Sequence, residues 1–241
     1  MKAFFLAAGE ATRLRPLTNH IPKCLVPVHG VPLLGIWMDL FRRHNIDEIL
    51  INLYWKGESI REFVAGNSAG IKVRYFEEHS LLGTAGTLAA NRHWVADENP
   101  FWIIYGDIVT NADLSRMLLF HKEKGSECTI AVVPVADPEQ CGIAVLDENQ
   151  LVVDFEEKPR KPRGNCGFAG IALAGPSLLE LLPDTVPSDL ATDVFSRMKG
   201  RMHAYRLPGY LGDVGTMENY RRVEQEWRGL DSVQGQQGSL S

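Results

Sequence analysis

Residues 2–23 read KAFFLAAGEATRLRPLTNHIPK, and the reading of this stretch decides the fold. Lys2 to Ala8 is an apolar, strand-like run that breaks into a loop at Gly9. Arg13 and Arg15 follow, then Pro16, and finally Pro22 and Lys23. A loop leaving a strand end exposes backbone N–H groups, which together form a concave anion site. Arg13 offers a planar fork for phosphate oxygens, whereas Lys23 offers a compact point charge. Gly9 and Ala11 are small enough for the backbone to come close to a bound group. The stretch therefore reads as a polyphosphate-binding loop. On charge alone a basic surface turn is an equal alternative, because short Gly/Pro/Arg turns are common. No G-x-x-x-x-G-K-[ST] run is present, so this is not a Walker loop.

Beyond Lys23 the chain alternates between two periods. Leu33 to His44 carries apolar residues at helical spacing, with Arg42, Arg43 and His44 in the last turn, where cations suit the helix dipole. Asp47 to Leu53 reads as a buried strand, Glu58 to Ala65 as a helix and Ile71 to Phe76 as another strand. A small-residue loop, His79 to Gly86, leads into a helix through Trp94, and Phe101 to Tyr105 is a central-strand run ending at Gly106-Asp107. This alternation predicts an α/β fold: a Rossmann-like, doubly wound, mixed but mostly parallel sheet flanked by helices. Ligands of such sheets bind beyond the carboxyl ends of the strands, where the loops at Gly9, Gly83 and Asp107 would converge.

The second half reads as a helix over 114–123, a strand over 129–135, a hairpin of 143–146 with 150–155, and a charged loop over 156–164. Strand 168–174, helices 177–182 and 190–198, strand 202–207 and a final helix from Met217 to about Arg228 complete it. One domain over residues 1–230 is expected, with a nucleotide-binding half of about 1–112 and a second half of about 113–230. The Gln/Gly/Ser-rich tail 231–241 reads as disordered.

Composition narrows the function classes. The 241 residues are 45% hydrophobic and 23% charged, as in ordinary globular chains. With 25 basic and 30 acidic residues the net charge is −5, and no basic block suggests nucleic acid binding. No apolar run is long enough to span a bilayer, and no signal-peptide layout precedes the first strand, so a cytoplasmic protein without membrane contact is expected. Cys24, Cys128, Cys141 and Cys166 show no C-x-x-C spacing and read as free thiols. The seven histidines form no recognisable metal spacing.

Two carboxylates stand at strand exits. Asp107 follows Gly106 at the end of FWIIY, and Asp213 sits in Gly212-Asp213-Val214-Gly215-Thr216. Either can hold Mg²⁺, which binds one or two carboxylates and keeps several waters; either can equally be a turn or cap residue. Gly83-Thr84-Ala85-Gly86 can admit a flat base close to the backbone, or simply open a helix with Thr84 as its cap. Glu157-Lys158-Pro159 lies in a run with Arg160, Lys161 and Arg163 that could be no more than a solvated charged loop.

Taken together these segments resemble one family. G-x-x-T-R-x-R-P-L-T with P-K, then L-G-T-A-G, G-D, E-K-P and D-V-G-T, in that order, are similar to the motifs of the sugar-phosphate nucleotidyltransferases, the nucleotide-sugar pyrophosphorylases. The family usually shows G-x-G-T-R, and here Ala11 stands for the second glycine. The resemblance implies an enzyme that condenses a nucleoside triphosphate with a sugar 1-phosphate, releasing pyrophosphate, with Mg²⁺ as cofactor. It implies catalytic roles for Arg13, Lys23, Asp107 and Asp213, the last two sharing the metal. Leu6, Ala8, Gly9, Ala11, Thr12, Glu78, Gly83, Thr84 and Ala85 would contact the nucleotide, and Glu157, Lys158 and Gly170 the sugar phosphate. The segment Glu77-Glu78-His79-Ser80-Leu81 lacks the Gln common in uridine- and thymidine-specific members and is closer to guanylyltransferases for mannose or heptose 1-phosphate. GTP is therefore favoured over UTP, dTTP or CTP. A cytidylyltransferase for phosphocholine and a non-catalytic nucleotide-sugar sensor are the alternatives, and a homo-oligomer is compatible with the sequence.

Overall fold

The structure, a computed structural model, describes residues 1–68 and 70–232. In chain order the elements are β1 (Lys2–Leu6), β2 (Pro27–Val28), β3 (Val31–Pro32), α1 (Leu33–Arg43), β4 (Glu48–Leu53), α2 (Gly57–Asn67) and β5 (Lys72–Glu77). Then come α3 (Gly83–Ala90), β6 (Phe101–Tyr105), β7 (Ile108–Thr110), α4 (Leu114–Lys124), β8 (Cys128–Pro134), β9 (Gly142–Leu146) and β10 (Val152–Glu157). The last are β11 (Cys166–Ala174), α5 (Pro176–Leu179), β12 (Met202–Arg206), β13 (Leu211–Asp213) and α6 (Met217–Glu226).

Apolar runs buried on both faces form the centre of the sheet, as expected of parallel strands under helices. β1 pairs in parallel with β4 (Phe4 with Leu50) and with β6 (Phe4 with Ile103), and β4 pairs in parallel with β5. Successive residues of β1 feed opposite faces. Phe5 packs with Trp37 and Phe41 of α1, while Phe4 packs with Trp94 and Phe101 on the other side. Both phenylalanines are fully buried, which contributes about 1.5–3 kcal/mol each. The chain leaves β1 to build β4 on one side and β6 on the other, so the strand order reverses at the end of β1. That reversal is where an open α/β sheet keeps its ligand crevice.

The other half of the sheet is largely antiparallel. β11 runs against both β6 and β8, β9 pairs with β11 and β10, and β12 lies parallel to β8. β11 pairs with β9 at Cys166–Gly167 and with β6 from Ile171 onward. Gly170 makes that change of partner at φ +72°, and a Cβ there would lie 3.2 Å from Tyr105. Helix ends follow local chemistry. The Asp113 carboxylate accepts from Arg116 N–H at the start of α4, Gly125 closes it at φ +56°, and the Thr216 hydroxyl caps α6.

Several expectations are corrected. β1 stops at Leu6, because the N–H groups of Ala7 and Ala8 turn to a side chain, Asn52. The helix expected through Trp94 ends at Ala90, and a 3₁₀ turn covers Arg92–Val95. Residues 190–197 form a single π turn and a 3₁₀ turn in place of an α-helix. β10 extends through Glu157, which pairs with Gly142, so the charged loop is shorter than anticipated. The final helix ends at Glu226, two residues early. A small ribbon, β7 against β13, was not anticipated. All four cysteines are free; Cys24 and Cys128 are buried and the other two half-buried. No helix among the described residues is long and apolar enough to cross a membrane. The tail expected to be disordered lies, beyond Ser232, outside the described residues.

Candidate active site

A cleft of about 540 Å³ opens over the carboxyl ends of β1, β4 and β6. Leu6, Ala8, Gly9, Ala11, Thr12, Arg13 and Lys23 line it from the front loop, Glu78, Gly83 and Thr84 from the opposite side, and Asp107 from the end of β6. These are the positions singled out in the sequence. Asp213 sits beside Asp107 just outside this lining. Ala85, Glu157, Lys158 and Gly170 are not brought to the cleft wall.

The front loop is shaped by one buried residue between two exposed ones. Leu14 is fully buried, while Arg13 and Arg15 point outward. Leu14 packs in a separate apolar cluster with Val26, Val28, Val109, Val214, Val223 and Trp227. The loop, the ribbon and α6 thus share one small core. Ala11 adopts φ +47°, the left-handed region that glycine enters freely, and its carbonyl accepts from the buried Thr18 hydroxyl at 2.8 Å. Among the described residues no partner takes the N–H groups of Gly9, Glu10 and Ala11.

The ribbon brings the two aspartates together. Val214 N–H donates to Asp107 O at 2.8 Å, and Ile108 pairs with Asp213. Buried Trp37 donates its indole N–H to Ile108 O at 2.8 Å, fixing the ribbon to α1. Gly106 is required here, because a Cβ would stand 2.9 Å from Leu6 O and from the Phe5 ring. Lys23 Nζ lies 2.7 Å from Asp107 Oδ2. Asp213 Oδ2 accepts from Asn219 Nδ2 at 2.6 Å. Burial, and after it the Asp107 charge, push the Asp213 carboxyl above its ordinary range, while Lys23, Asn219 and Arg13 pull it back. Two carboxylates in mutual repulsion fit a divalent cation, and hard oxygen donors suit Mg²⁺, which needs only one or two carboxylates beside phosphate oxygens and water. No group of three or more His, Cys, Asp or Glu forms a closed metal cage among the described residues.

The opposite wall is already satisfied from within the chain. Ser188 O accepts from Ala85 N–H at 2.9 Å and from Gly86 N–H at 3.2 Å. Asp189 Oδ1 accepts from Thr84 N–H and from the Thr84 hydroxyl, which in turn accepts from Leu190 N–H at 2.8 Å. The N–H groups of Thr84, Ala85 and Gly86 are therefore taken, and Ala85 is wholly buried. The Thr84 hydroxyl does not cap α3; it ties α3 to the segment 188–190.

Glu78 is 7% exposed. Its Oε1 accepts from Asn52 Nδ2 at 2.8 Å and from Thr87 Oγ1 at 2.6 Å, and Oε2 accepts from Leu82 N–H at 3.0 Å. One lone pair of Oε2 remains, so a two-point contact to guanine through both oxygens is not available. On the far side Glu157 is half-buried. Burial raises its pKa, the Lys158 ammonium 3.5 Å away lowers it, and the Asp189 charge raises it. Lys158 is exposed at φ +47°, its N–H bonded to Cys141 O.

Sequence reasoning missed Asn52, Tyr105, Ser188, Asp189 and Asn219. Asn52 had a visible signal, a lone amide in the apolar strand EILINL. Tyr105, whose hydroxyl lies 3.4 Å from Thr84 Oγ1, closed an aromatic run that looked like core. Ser188 and Asp189 carried no signal, because their role depends on a contact with a loop distant in sequence.

Comparison with known proteins places the arrangement. Mannose-1-phosphate guanylyltransferase 1 of Arabidopsis thaliana is 33% identical over 227 residues, covering 91% of this chain and 63% of that protein. The UTP–glucose-1-phosphate uridylyltransferase of Synechocystis is 30% identical over 238 residues, covering 91% and 61%. The chain thus spans about three fifths of the length of the curated relatives it matches. Among solved structures, a UDP-glucose pyrophosphorylase complexed with UDP-glucose shares the fold at TM-score 0.82 and 20% identity, covering 93% of this chain and 97% of that one. HddC from Yersinia pseudotuberculosis, complexed with GMP-PN, does so at TM-score 0.78 and 24% identity, with 94% and 99% covered. Those structures carry the same mostly parallel sheet under helices that the sequence predicted. The family model for nucleotidyl transferases matches residues 2–228, from the start of β1 to just beyond α6, and the chain belongs to that family.

Proposed function

We propose that this chain is a sugar-1-phosphate nucleotidyltransferase, joining a nucleoside triphosphate and a sugar 1-phosphate to give a nucleoside diphosphate sugar and pyrophosphate. The observation that carries the proposal is the ribbon β7–β13, which sets Asp107 and Asp213 side by side, with Lys23 on Asp107, at the edge of the cleft behind the front loop. A phosphate oxygen of the sugar phosphate would attack the α-phosphorus in line, the bond from that phosphorus to the β-phosphate oxygen would break, and pyrophosphate would leave. No covalent enzyme intermediate is needed, so the chain's own work is positioning and charge neutralisation.

In this reading residues 6–13 cradle the triphosphate, with the open N–H groups of Gly9, Glu10 and Ala11 and the Arg13 guanidinium facing the β- and γ-phosphates. Lys23 neutralises the α-phosphate or the incoming phosphate. Glu78, Gly83 and Thr84 bound the base side, with Ala85 held behind them. Glu157 accepts from sugar hydroxyls, Lys158 holds the sugar phosphate, and Gly170 gives the sugar room above β11. Asp107 and Asp213 would hold Mg²⁺, which supplies charge neutralisation for the reacting phosphates. The nucleotide half, about 1–112, and the sugar-phosphate half, about 113–230, act as one catalytic unit, which we place in the cytoplasm. The guanylyltransferase relatives favour GTP, and the uridylyltransferase relative at 30% identity makes UTP the second reading.

The test is pyrophosphate release with Mg²⁺ across five nucleoside triphosphates and a panel of acceptors: mannose, glucose, heptose and N-acetylated sugar 1-phosphates, with phosphocholine. One strong combination would fix reaction, nucleotide and acceptor together. A blank grid from folded protein that binds no nucleotide would overturn the proposal.

A further inference from the structure

The cleft has a brace behind it that contains no charged partner for its single carboxylate. Glu78, at the end of β5, accepts from Asn52 and Thr87 through Oε1 and from Leu82 N–H through Oε2. Because those contacts require Asn52 to present its Nδ2 to Glu78, its Oδ1 is left pointing the other way. There it accepts from Ala7 N–H at 2.6 Å and Ala8 N–H at 3.2 Å, the two residues that lead from β1 into the phosphate-side loop. The single hydroxyl proton of Thr87, wholly buried, is shared between Glu78 Oε1 at 2.6 Å and Gly83 O at 3.0 Å, at the first turn of α3. One run of hydrogen bonds therefore links the root of the front loop, through Asn52 and Glu78, to Leu82, Gly83 and α3 on the opposite wall. Asn52, Glu78 and Thr87 are buried, so losing one of them leaves the others short of a partner.

We infer that Asn52, Glu78 and Thr87 are positioning residues that fix the separation of the two walls of the cleft, so that nucleotide affinity depends on the brace more than on any base contact made by Glu78. This rests on the reading of the cleft as a nucleotide site. The chemistry is directional: Glu78 offers acceptors only to three donors, and a Gln at this position would turn an N–H₂ toward either Leu82 N–H or the Asn52–Thr87 pair. Either arrangement sets donor against donor. With the N–H₂ turned toward Asn52, that amide is freed to rotate, and with it Ala7 and Ala8.

The experiment compares wild type with Glu78→Gln and Thr87→Val in two measurements. Amide hydrogen exchange in the ligand-free protein reads the brace alone. Exchange at Ala7 and Ala8 is expected to speed up on the order of tenfold in both variants, while Phe4 and Phe5 in β1 keep their wild-type rates. Calorimetry with GTP and UTP reads its consequence: both nucleotides should weaken by a similar factor, about tenfold, in each variant. A Glu78→Gln protein that changes the GTP-to-UTP ratio, beside a Thr87→Val protein with wild-type affinities, would overturn the inference in favour of direct base reading. Exchange at Ala7 and Ala8 unchanged in both variants would overturn it as well, as would acceleration spread equally over Phe4 and Phe5. Wild type that binds neither nucleotide would sink the nucleotide reading of the cleft, and the amide exchange would still decide whether the brace exists.

Discussion

Two loops face each other across the cleft, and their backbones are in opposite conditions. The turn into α3 has its leading N–H groups taken by Ser188 and Asp189. A Cβ on Gly83 would sit 2.3 Å from Ser188 O, at a φ of +76°. The front loop leaves the N–H groups of residues 9–11 unpaired among the described residues, and a Cβ on Gly9 would meet nothing within 4 Å. Both loops are rich in small residues, yet for different reasons. Gly83 is demanded by the protein's own packing, whereas Gly9 has space that the fold does not use. Small residues beside a cleft thus mark close approach, and only the hydrogen-bond inventory tells whether the approaching group is the protein or a ligand.

The comparison can be broken most severely at the two carboxylates beside the front loop. Asp107→Asn and Asp213→Asn should each lower kcat by about 10³-fold with the melting temperature little changed, because loss of charge stabilisation at a reacting phosphate costs that much. Near-normal turnover in both would end the metal assignment. Next in size is Gly83→Ala, which should destabilise the fold by about 3 kcal/mol through overpacking and backbone strain, measured by urea unfolding. Its counterpart Gly9→Ala should stay within about 0.5 kcal/mol of wild type and weaken nucleotide binding instead. Equal stability losses at the two glycines would erase the contrast.

Arg13→Ala sharpens the comparison from the side-chain end. The guanidinium is exposed and makes no ion pair among the described residues, so unfolding should be unaffected while kcat falls by about tenfold to a hundredfold. A change confined to KM would demote Arg13 to a binding group. The smallest effect is expected of Ala11→Gly. Relief of the left-handed backbone, about 1–2 kcal/mol, exceeds the entropy cost of glycine by roughly 0.5 kcal/mol, a gain that a careful thermal melt resolves.

How far the sequence could be read depended on the range of the forces involved. β1, α1, β4 and β6 were legible because each declares itself through a local apolar pattern, and the parallel half of the sheet followed from their alternation. Asp107 was visible as a carboxylate at a strand exit. The contact that pairs it with Asp213 was not, since Ile108–Thr110 and Leu211–Asp213 are three residues long and LGDVG reads as a glycine turn. Family motifs supplied that pairing where periodicity could not. Glu157 was assigned to a charged loop because its neighbours are charged, although pairing with Gly142 keeps it in β10. Asp189 shows the limit most clearly: nothing in PSDLATD says that its carboxylate will tie down Thr84, more than a hundred residues earlier.

The ribbon β7–β13 also sets an order of events during synthesis. At about 5–20 residues per second, Asp213 leaves the ribosome roughly 5–20 s after Asp107, since they lie about a hundred residues apart. Until then β7 has no strand beside it, and the nascent chain holds the front loop, Lys23 and one aspartate without the other. A translation product cut short before β13 would lack Val214, Val223 and Trp227, against which Leu14 seats the front loop, and would be unable to complete the carboxylate pair. Arrested or prematurely terminated chains would therefore be silent toward the nucleotide pool, and competence would arrive in a single late step.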